Sequence, residues 1–413
     1  MAGKHLIIGS GLAALSALRK IREINRTDEI RLVTMENHPP YSLAALPYLI
    51  SKRIDKAGLC LADKSYLDKM ECSLEMGKRV IRIVPDAKEV IYQDHSRENF
   101  DNLLIASGAE PITPNIGGLK KVPFANLHTM DDCDRLQKLL VGKKEVAIYG
   151  GGMISLEIAA ALLEAGYRVN IIVRSYILRR YLDQKTSESV ERLFRDHGCQ
   201  ISSGSEIAEV RKNKNKVEIH LAKGGVIFTA LLIMTTGVKS RTAFLENSGI
   251  EVNQGIVVDR RMRTNVLNIY AAGDVAEAPD FFYRQPGVSA IAPSAIQQGR
   301  IAGANMAGEV MEDRGWVPMN VAKFFGHSVS SLGLPPDGSS QVLRNEPGSN
   351  HHYKELIFRD NKLIGARFLD VDIDPGVFRY LIEQEVDVEH YKEMLFEKPK
   401  AMSRWLMLEY EKR

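Results

Sequence analysis

The stretch KHLIIGSGLAALSALRKI, residues 4–21, decides the fold. Lys4 to Ile8 read as a short strand, and Gly9-Ser10-Gly11-Leu12-Ala13-Ala14 leads from it into a helix with apolar periodicity. Gly9 allows the tight turn, Gly11 lets the backbone approach a pyrophosphate, and the small Ala14 lets helix and strand pack closely. The anion would rest on the helix N-terminus, where unshared N–H groups and the dipole favour negative charge. The next strand, EIRLVTM, runs up to Glu36, whose carboxylate can accept hydrogen bonds from both ribose hydroxyls. A glycine turn alone is often only structural. Strand, turn, helix and acid in that order make a dinucleotide site the better reading.

The pattern recurs in KKEVAIYGGGMISLEIAAALLEAGYRVNIIVRS, residues 143–175: strand, Gly150-Gly151-Gly152, helix, Gly166, strand. Two such turns imply two nucleotides held by two domains, and one nucleotide that reduces the other. The third glycine position is Ser155, still small enough for helix and strand to pack. At the end of the second strand, where an acid would select NAD through its 2′-hydroxyl, the chain reads Val173-Arg174-Ser175. Arg174, with Arg180 beyond it, can instead receive a 2′-phosphate. A solvated arginine after a strand is an equal alternative, so NAD and NADP both stay open.

At 413 residues, 45% hydrophobic and 26% charged, the chain has room for two or three cores. A formal charge of +3 gives no electrostatic case for nucleic acid or an anionic membrane. Cys60, Cys72, Cys133 and Cys199 show no CxxC spacing, so no local pair builds an iron–sulfur or zinc site, and no metal is expected. They read as reduced thiols. The N-terminal apolar stretch is read as a strand rather than a secretory signal, because its glycines sit at strand-to-helix spacing and no A-x-A site follows. No apolar run approaches the roughly 20 residues that span a bilayer, and the expectation is a cytoplasmic protein.

Three further segments complete a set. FDNLLIASGAEPITP places Ala106-Ser107-Gly108 after a strand, LLIMTTG brings a crossing turn at Thr236-Gly237, and IYAAGDVAE carries Ala272-Gly273-Asp274, with APSAIQQGRIAGANMAG following as a helix. With both glycine turns these resemble, over nearly the whole chain, the FAD-dependent pyridine nucleotide-disulfide oxidoreductases in the wide sense. The nearest branch is that of NADH oxidases, nitrite reductases and rubredoxin reductases. The resemblance implies an α/β fold with two Rossmann-like dinucleotide-binding domains and a small C-terminal α+β interface domain. The FAD domain is expected over 1–115 and 249–314, the NAD(P) domain over 116–248, and the interface domain over 315–413.

By the same resemblance FAD falls to Gly9, Ser10, Gly11, Leu12, Ala13, Ala14, Glu36, Asn37, Ala44, Pro47, Ala106, Ser107, Gly108, Gly273, Asp274, Ser294 and Ala295. Asp274 would hold the ribityl or phosphate region, and the helix near Ser294 would aim its N-terminus at the pyrimidine edge of the flavin. NAD(P) falls to Gly150, Gly151, Gly152, Met153, Ile154, Glu157, Arg174 and Gly237, with NAD(H) favoured by the resemblance and NADP(H) left open. Hydride transfer belongs to the cofactors; Glu157, Tyr48 and Lys52 are the side chains expected near their contact.

One departure shapes the expected function. In YSLAALPYLI, residues 41–50, Ala44-Ala45 stand before Leu46-Pro47-Tyr48, where the disulfide-reducing members carry a redox cysteine over the flavin. With a methyl in place of the sulfur, disulfide reduction loses its mechanism and an external acceptor is implied. The chain itself lacks cluster ligands, so a one-electron carrier would sit in a partner. The expectation is an electron-transfer subunit joined to an iron–sulfur subunit and a catalytic subunit, resembling FAD subunits of tungsten aldehyde oxidoreductase or phenylglyoxylate dehydrogenase complexes. A free-standing NAD(P)H oxidase or rubredoxin-type reductase is the alternative, and a non-enzymatic redox-responsive FAD/NADH-binding protein is an alternative of another class. In the tail EKPKAMSRWLMLEYEKR, Trp405, Leu406, Leu408 and Tyr410 suggest an amphipathic helix that packs on its own domain or docks a partner.

Overall fold

Leu6, Ile7 and Ile8 are all buried, which a strand achieves only when both faces of its sheet are covered. Strand Lys4–Ile8 lies between Glu29–Val33 and Asn102–Ile105, parallel to both, with Ile8 opposite Val33 and Ile105. Cys72–Glu75 and Ile269–Ala271 extend this five-stranded parallel sheet at its two edges. Lys4–Ile8 and Asn102–Ile105 end in apolar runs, as buried parallel strands require, while Glu29–Val33 keeps Glu29 and Arg31 less buried. The computed structural model describes residues 3–346 and 352–412.

Helix Leu12–Ile24 follows the first strand and buries Ala13, Ala14, Ala17, Leu18 and Ile21 on one face. Against it lies helix Ala292–Met306, and the contact is backbone to backbone. A Cβ built at Gly299 would stand 2.1 Å from the Ala13 carbonyl oxygen, and one at Gly303 2.5 Å from that of Ala17. Small residues four apart on both helices therefore set their spacing.

The chain forms two compact units. The first takes Met1–Leu43, Lys56–Glu110 and Val238–Val317, and contains the sheet and helix pair just described. The second takes Ala44–Asp55, Pro111–Gly237 and Pro318–Arg413. Where the sequence suggested crossings near 115 and 248, the chain passes from one unit to the other at Glu110/Pro111 and Gly237/Val238. The short helix Leu46–Ile50 lies in a segment that counts with the second unit, which a linear reading of the chain cannot show.

Inside the second unit a second parallel sheet runs in the order Gln200–Ser202, Arg168–Ile172, Glu145–Tyr149, Leu231–Met234, Phe124–Ala125. An antiparallel meander of Ile207–Asn213, Lys216–Leu221 and Val226–Thr229 accompanies it. The C-terminal segment has its own five-stranded antiparallel sheet, from Met319–Phe324 to Lys362–Leu369, carrying helices Pro375–Glu383 and Pro399–Glu411. In the last helix Leu406 is buried and Trp405 is 41% exposed, its ring 5.2 Å from that of Tyr391. No described helix is long and apolar enough to cross a membrane.

Candidate functional site

The first glycine turn is clamped on both sides. Gly9 N–H donates to Val33 O at 2.8 Å and Ala106 N–H donates to Ile8 O at 2.8 Å. Gly9 has φ +115, and a Cβ there would lie 2.1 Å from Ala106 O, so only glycine fits. Gly11 differs: its backbone is extended, and a Cβ would meet nothing within 4 Å. That open space fronts the N-terminus of helix Leu12–Ile24, which has neither a side-chain cap nor an acid in its first turn. Donors without an internal acceptor, facing open space, suit a pyrophosphate.

Gly273 adds a second wall, at φ +81, where a Cβ would stand 3.1 Å from Ala13 Cβ and 3.7 Å from Ala295 Cβ. Beside it burial pushes the Asp274 carboxyl up to about 6, relieved only in part by its own backbone N–H. A buried carboxylate in that state gains from hydroxyl donors such as those of a ribityl chain. These residues fit FAD. Glu36 and Asn37 stand after the second strand as expected, Glu36 half-buried and Asn37 exposed. Ser10, Leu12 and Ala13 line the turn, and Ser107 and Gly108 continue from Ala106.

Several residues of this site escape a reading of the sequence. Tyr41 OH donates to Glu36 Oε2 at 2.5 Å and so already claims one carboxylate oxygen. Gln298, itself buried, accepts from Gly273 N–H through Oε1 at 2.9 Å, and its Nε2 has no partner. Arg241 donates to the Ser107 carbonyl at 3.3 Å, and burial lowers its pKa against the opposing pull of Glu110 and Glu36. A buried cation there offsets anionic charge. The helix expected near Ser294 begins at Ala292, and the buried Ser294 hydroxyl pairs with Ser289 Oγ at 2.9 Å. Ala44 is exposed and Pro47 buried, both in the second unit.

The second turn repeats the logic with one substitution. Gly150 has φ +142, and a Cβ would fall 2.4 Å from Thr235 O. At Gly152 it would meet nothing within 4 Å. Ser155, buried in the third glycine position, accepts from Gly152 N–H at 3.2 Å and pairs with Thr235 Oγ1 at 2.8 Å. Its hydroxyl thus ties turn, helix and the strand Leu231–Met234 together, a role beyond the small size that the sequence suggested. Met153 and the exposed Ile154 begin the helix, and Gly237, at φ +112, accepts from Ile112 N–H through its carbonyl at 2.9 Å. The open face and uncapped helix fit a second pyrophosphate.

Tyr48 and Glu157 line one cleft of the second unit, with Ser51, Arg53, Glu164 and Lys323. Lys52 is not in this lining; it sits exposed at φ +59, and its neighbour Arg53, also exposed, lines the cleft and pairs with Glu164. Burial pushes the Glu157 carboxyl up to about 7. The sign follows from linkage. The folded chain keeps this proton up to about pH 7 and the unfolded chain releases it near the ordinary 4.5, so stability falls as pH rises between those values. Glu157→Gln is expected to remove a slope worth about 2–3 kcal/mol across that window. Denaturant midpoints at pH 5 and pH 8 check it, and parallel profiles for variant and wild type would refute it.

Three of the four thiols are poorly suited to replace the sulfur absent at Ala44. Cys72 and Cys199 are buried, which pushes each thiol up to about 12, and Cys133 is fully buried. Cys60 is exposed, on a segment bridged to Tyr41 within the first unit.

A family model described as pyridine nucleotide-disulphide oxidoreductase matches residues 3–299. The NADH-dependent phenylglyoxylate dehydrogenase subunit epsilon of Aromatoleum evansii is 32% identical over 409 residues, spanning 98% of this chain and 97% of that one. Among solved structures, the covalent putidaredoxin reductase–putidaredoxin complex superposes with a TM-score of 0.89 at 22% identity, covering 100% of both chains. An engineered water-forming NADPH oxidase bound to NADPH superposes at 0.86 and 21% identity, covering 99% and 98%. Its parent is a water-forming NADH oxidase from Lactobacillus brevis.

Proposed function

Since the chain belongs to the pyridine nucleotide-disulphide oxidoreductase family and is an NAD(P)H oxidoreductase of the FAD-dependent kind, we propose that it works as an electron-transfer subunit, moving electrons between a pyridine nucleotide and an iron–sulfur partner. The observation that carries this is Ala44, exposed where the disulfide-reducing members keep a thiol, with Cys72, Cys133 and Cys199 all buried. The partner and its substrate follow the relative in Aromatoleum, which matches end to end and is named as a subunit of an NADH-dependent dehydrogenase. An aldehyde- or 2-oxoacid-oxidising complex is the class this supports.

When bound, FAD supplies hydride acceptance at N5 and one-electron release. The chain's own residues do the rest. The turn at Gly9 to Ala14 seats one pyrophosphate and Gly150 to Gly152 the other, while Asp274, Gln298 and Arg241 fix polar groups around the first. Glu157, whose carboxyl burial pushes up to about 7, can in its protonated form donate a hydrogen bond to a carboxamide without placing a negative charge beside it.

The engineered NADPH oxidase carries alanine for glycine, then eighteen positions later alanine for aspartate, followed directly by arginine for alanine and serine for methionine, and five positions on arginine for proline. Counted from Ser155, the same steps land on Val173, Arg174, Ser175 and Arg180: a small residue, no acid, arginine, serine, arginine.

The test is a gentle one-step purification from the native host, recording flavin absorbance, co-purifying iron and nucleotide-dependent dye reduction together. Stoichiometric FAD, dye reduction and bound iron–sulfur subunits are expected. FAD and rapid turnover with oxygen by a solitary chain would favour a free-standing oxidase instead.

A further inference from the structure

After strand Arg168–Ile172 the chain folds back over the second glycine turn. Leu178 N–H donates to Gly151 O at 2.6 Å, and a Cβ at Gly151 would lie 2.6 Å from Val173 Cγ2 and 3.3 Å from Ile177 Cα. Val173 exchanges backbone bonds with Ser202 and Ser205, Gly204 N–H donates to Ser175 O, and the buried Ser187 hydroxyl donates to Ile177 O at 2.6 Å. Ile177, Leu178 and Leu182 are buried. The loop is pinned from below by three apolar side chains and from the sides by its own carbonyls.

What it turns outward is positive. Arg174, Arg179 and Arg180 are exposed, and from Val173 to Leu182 there is no acid. Arg179 and Arg180 make no ion pair among the described residues, and Arg174 reaches Glu206 only at 4.0 Å, with both side chains more than half exposed. A pair so solvated holds its cation weakly. In a fold of this kind the adenosine ribose lies beyond the carboxyl end of the second strand, beside the glycine turn, and an acid there would accept from a free 2′-hydroxyl. Here the residue directly after the strand is instead the buried, aliphatic Val173.

We propose that the loop from Arg174 to Arg180 is a 2′-phosphate subsite, with Arg174 and Arg180 as its cations, and that the protein takes NADP(H) in preference to NAD(H). This rests on the reading of Gly150 to Gly152 as the pyridine nucleotide turn. A dianionic phosphate offers more acceptor charge than the Glu206 carboxylate, so it displaces Glu206 from Arg174 on binding. Arg179, next to Arg180, adds to the local potential. NADH, without the phosphate, meets neither the missing acid nor a partner for the arginines, and its binding is expected to be poor on both counts.

The test uses the full holoprotein. Flavin reduction is followed by stopped flow with NADPH and with NADH, and 2′,5′-ADP is set against 5′-ADP as competitor. The expected result is a kcat/KM for NADPH about tenfold or more above that for NADH, and tighter inhibition by 2′,5′-ADP. In the double variant Arg174→Gln with Arg180→Gln, the NADPH/NADH ratio should fall about 100-fold while flavin absorbance stays, both residues being exposed. A preference for NADH, equal inhibition by the two competitors, or a ratio unmoved in the double variant would overturn the subsite. Failure of both nucleotides to reduce the flavin would instead sink the electron-transfer reading itself.

Discussion

Gly11→Leu is expected to yield a folded protein that does not hold FAD. The position has two properties that separate binding from folding. Its backbone, at φ −79 and ψ −169, is extended and open to any residue, and a Cβ added there meets nothing within 4 Å. Leucine is a poorer N-cap than glycine, which costs the helix Leu12–Ile24 about 1 kcal/mol and no more. The space it fills, however, is where the pyrophosphate must approach the helix N-terminus to reach the N–H groups. Losing those bonds and their charge complementarity should weaken FAD about 1,000-fold, some 4 kcal/mol. Equilibrium dialysis against FAD, beside a thermal melt of the apoprotein, reads both effects. Stoichiometric FAD in the variant would remove the site from this turn. A collapsed apoprotein would show that Gly11 serves packing, as Gly9 does with its φ of +115 and its approach to Ala106 O.

Both glycine turns, their strands and helices, and the order of the later segments are legible in the sequence because each is a local pattern: a strand, a turn that needs glycine, and a helix with a periodic face. What stays hidden depends on contacts of single side chains. Tyr41 on Glu36, Gln298 on Gly273 and Arg241 on Ser107 are single side chains with no spacing rule to betray them. Ser155 is visible as a departure from the fingerprint, yet its tie to Thr235 requires knowing which strand lies beside the turn. After Tyr48 the cation that lines the cleft is Arg53 rather than Lys52, which spacing along the sequence does not reveal. The spacing Gly299-x-x-x-Gly303 is visible in the sequence, but only the approach to Ala13 and Ala17 gives it meaning.

That spacing carries the largest expected loss of stability. Helix Ala292–Met306 meets helix Leu12–Ile24 where Gly299 faces Ala13 and Gly303 faces Ala17, and the Cβ of any residue at Gly299 would stand 2.1 Å from a carbonyl oxygen. A flexible side chain could yield to such an approach, but a helical backbone cannot. Gly299→Val must therefore push the two helices apart, and every pair along the seam loses contact at once. The same shift moves Ala13 away from Gly273, whose own Cβ position is only 3.1 Å from Ala13 Cβ, and so opens the wall beside Asp274. A loss of about 4 kcal/mol or more is expected, with FAD released as a consequence of the damaged fold rather than of a blocked site. Gly376→Ala gives the contrast: in helix Pro375–Glu383, with nothing within 4 Å of its Cβ, it should add up to about 1 kcal/mol through helix propensity. Urea midpoints of the two variants decide the matter. If Gly299→Val unfolded at the wild-type midpoint with FAD in place, the close seam between these helices would not be what holds the first dinucleotide turn in position.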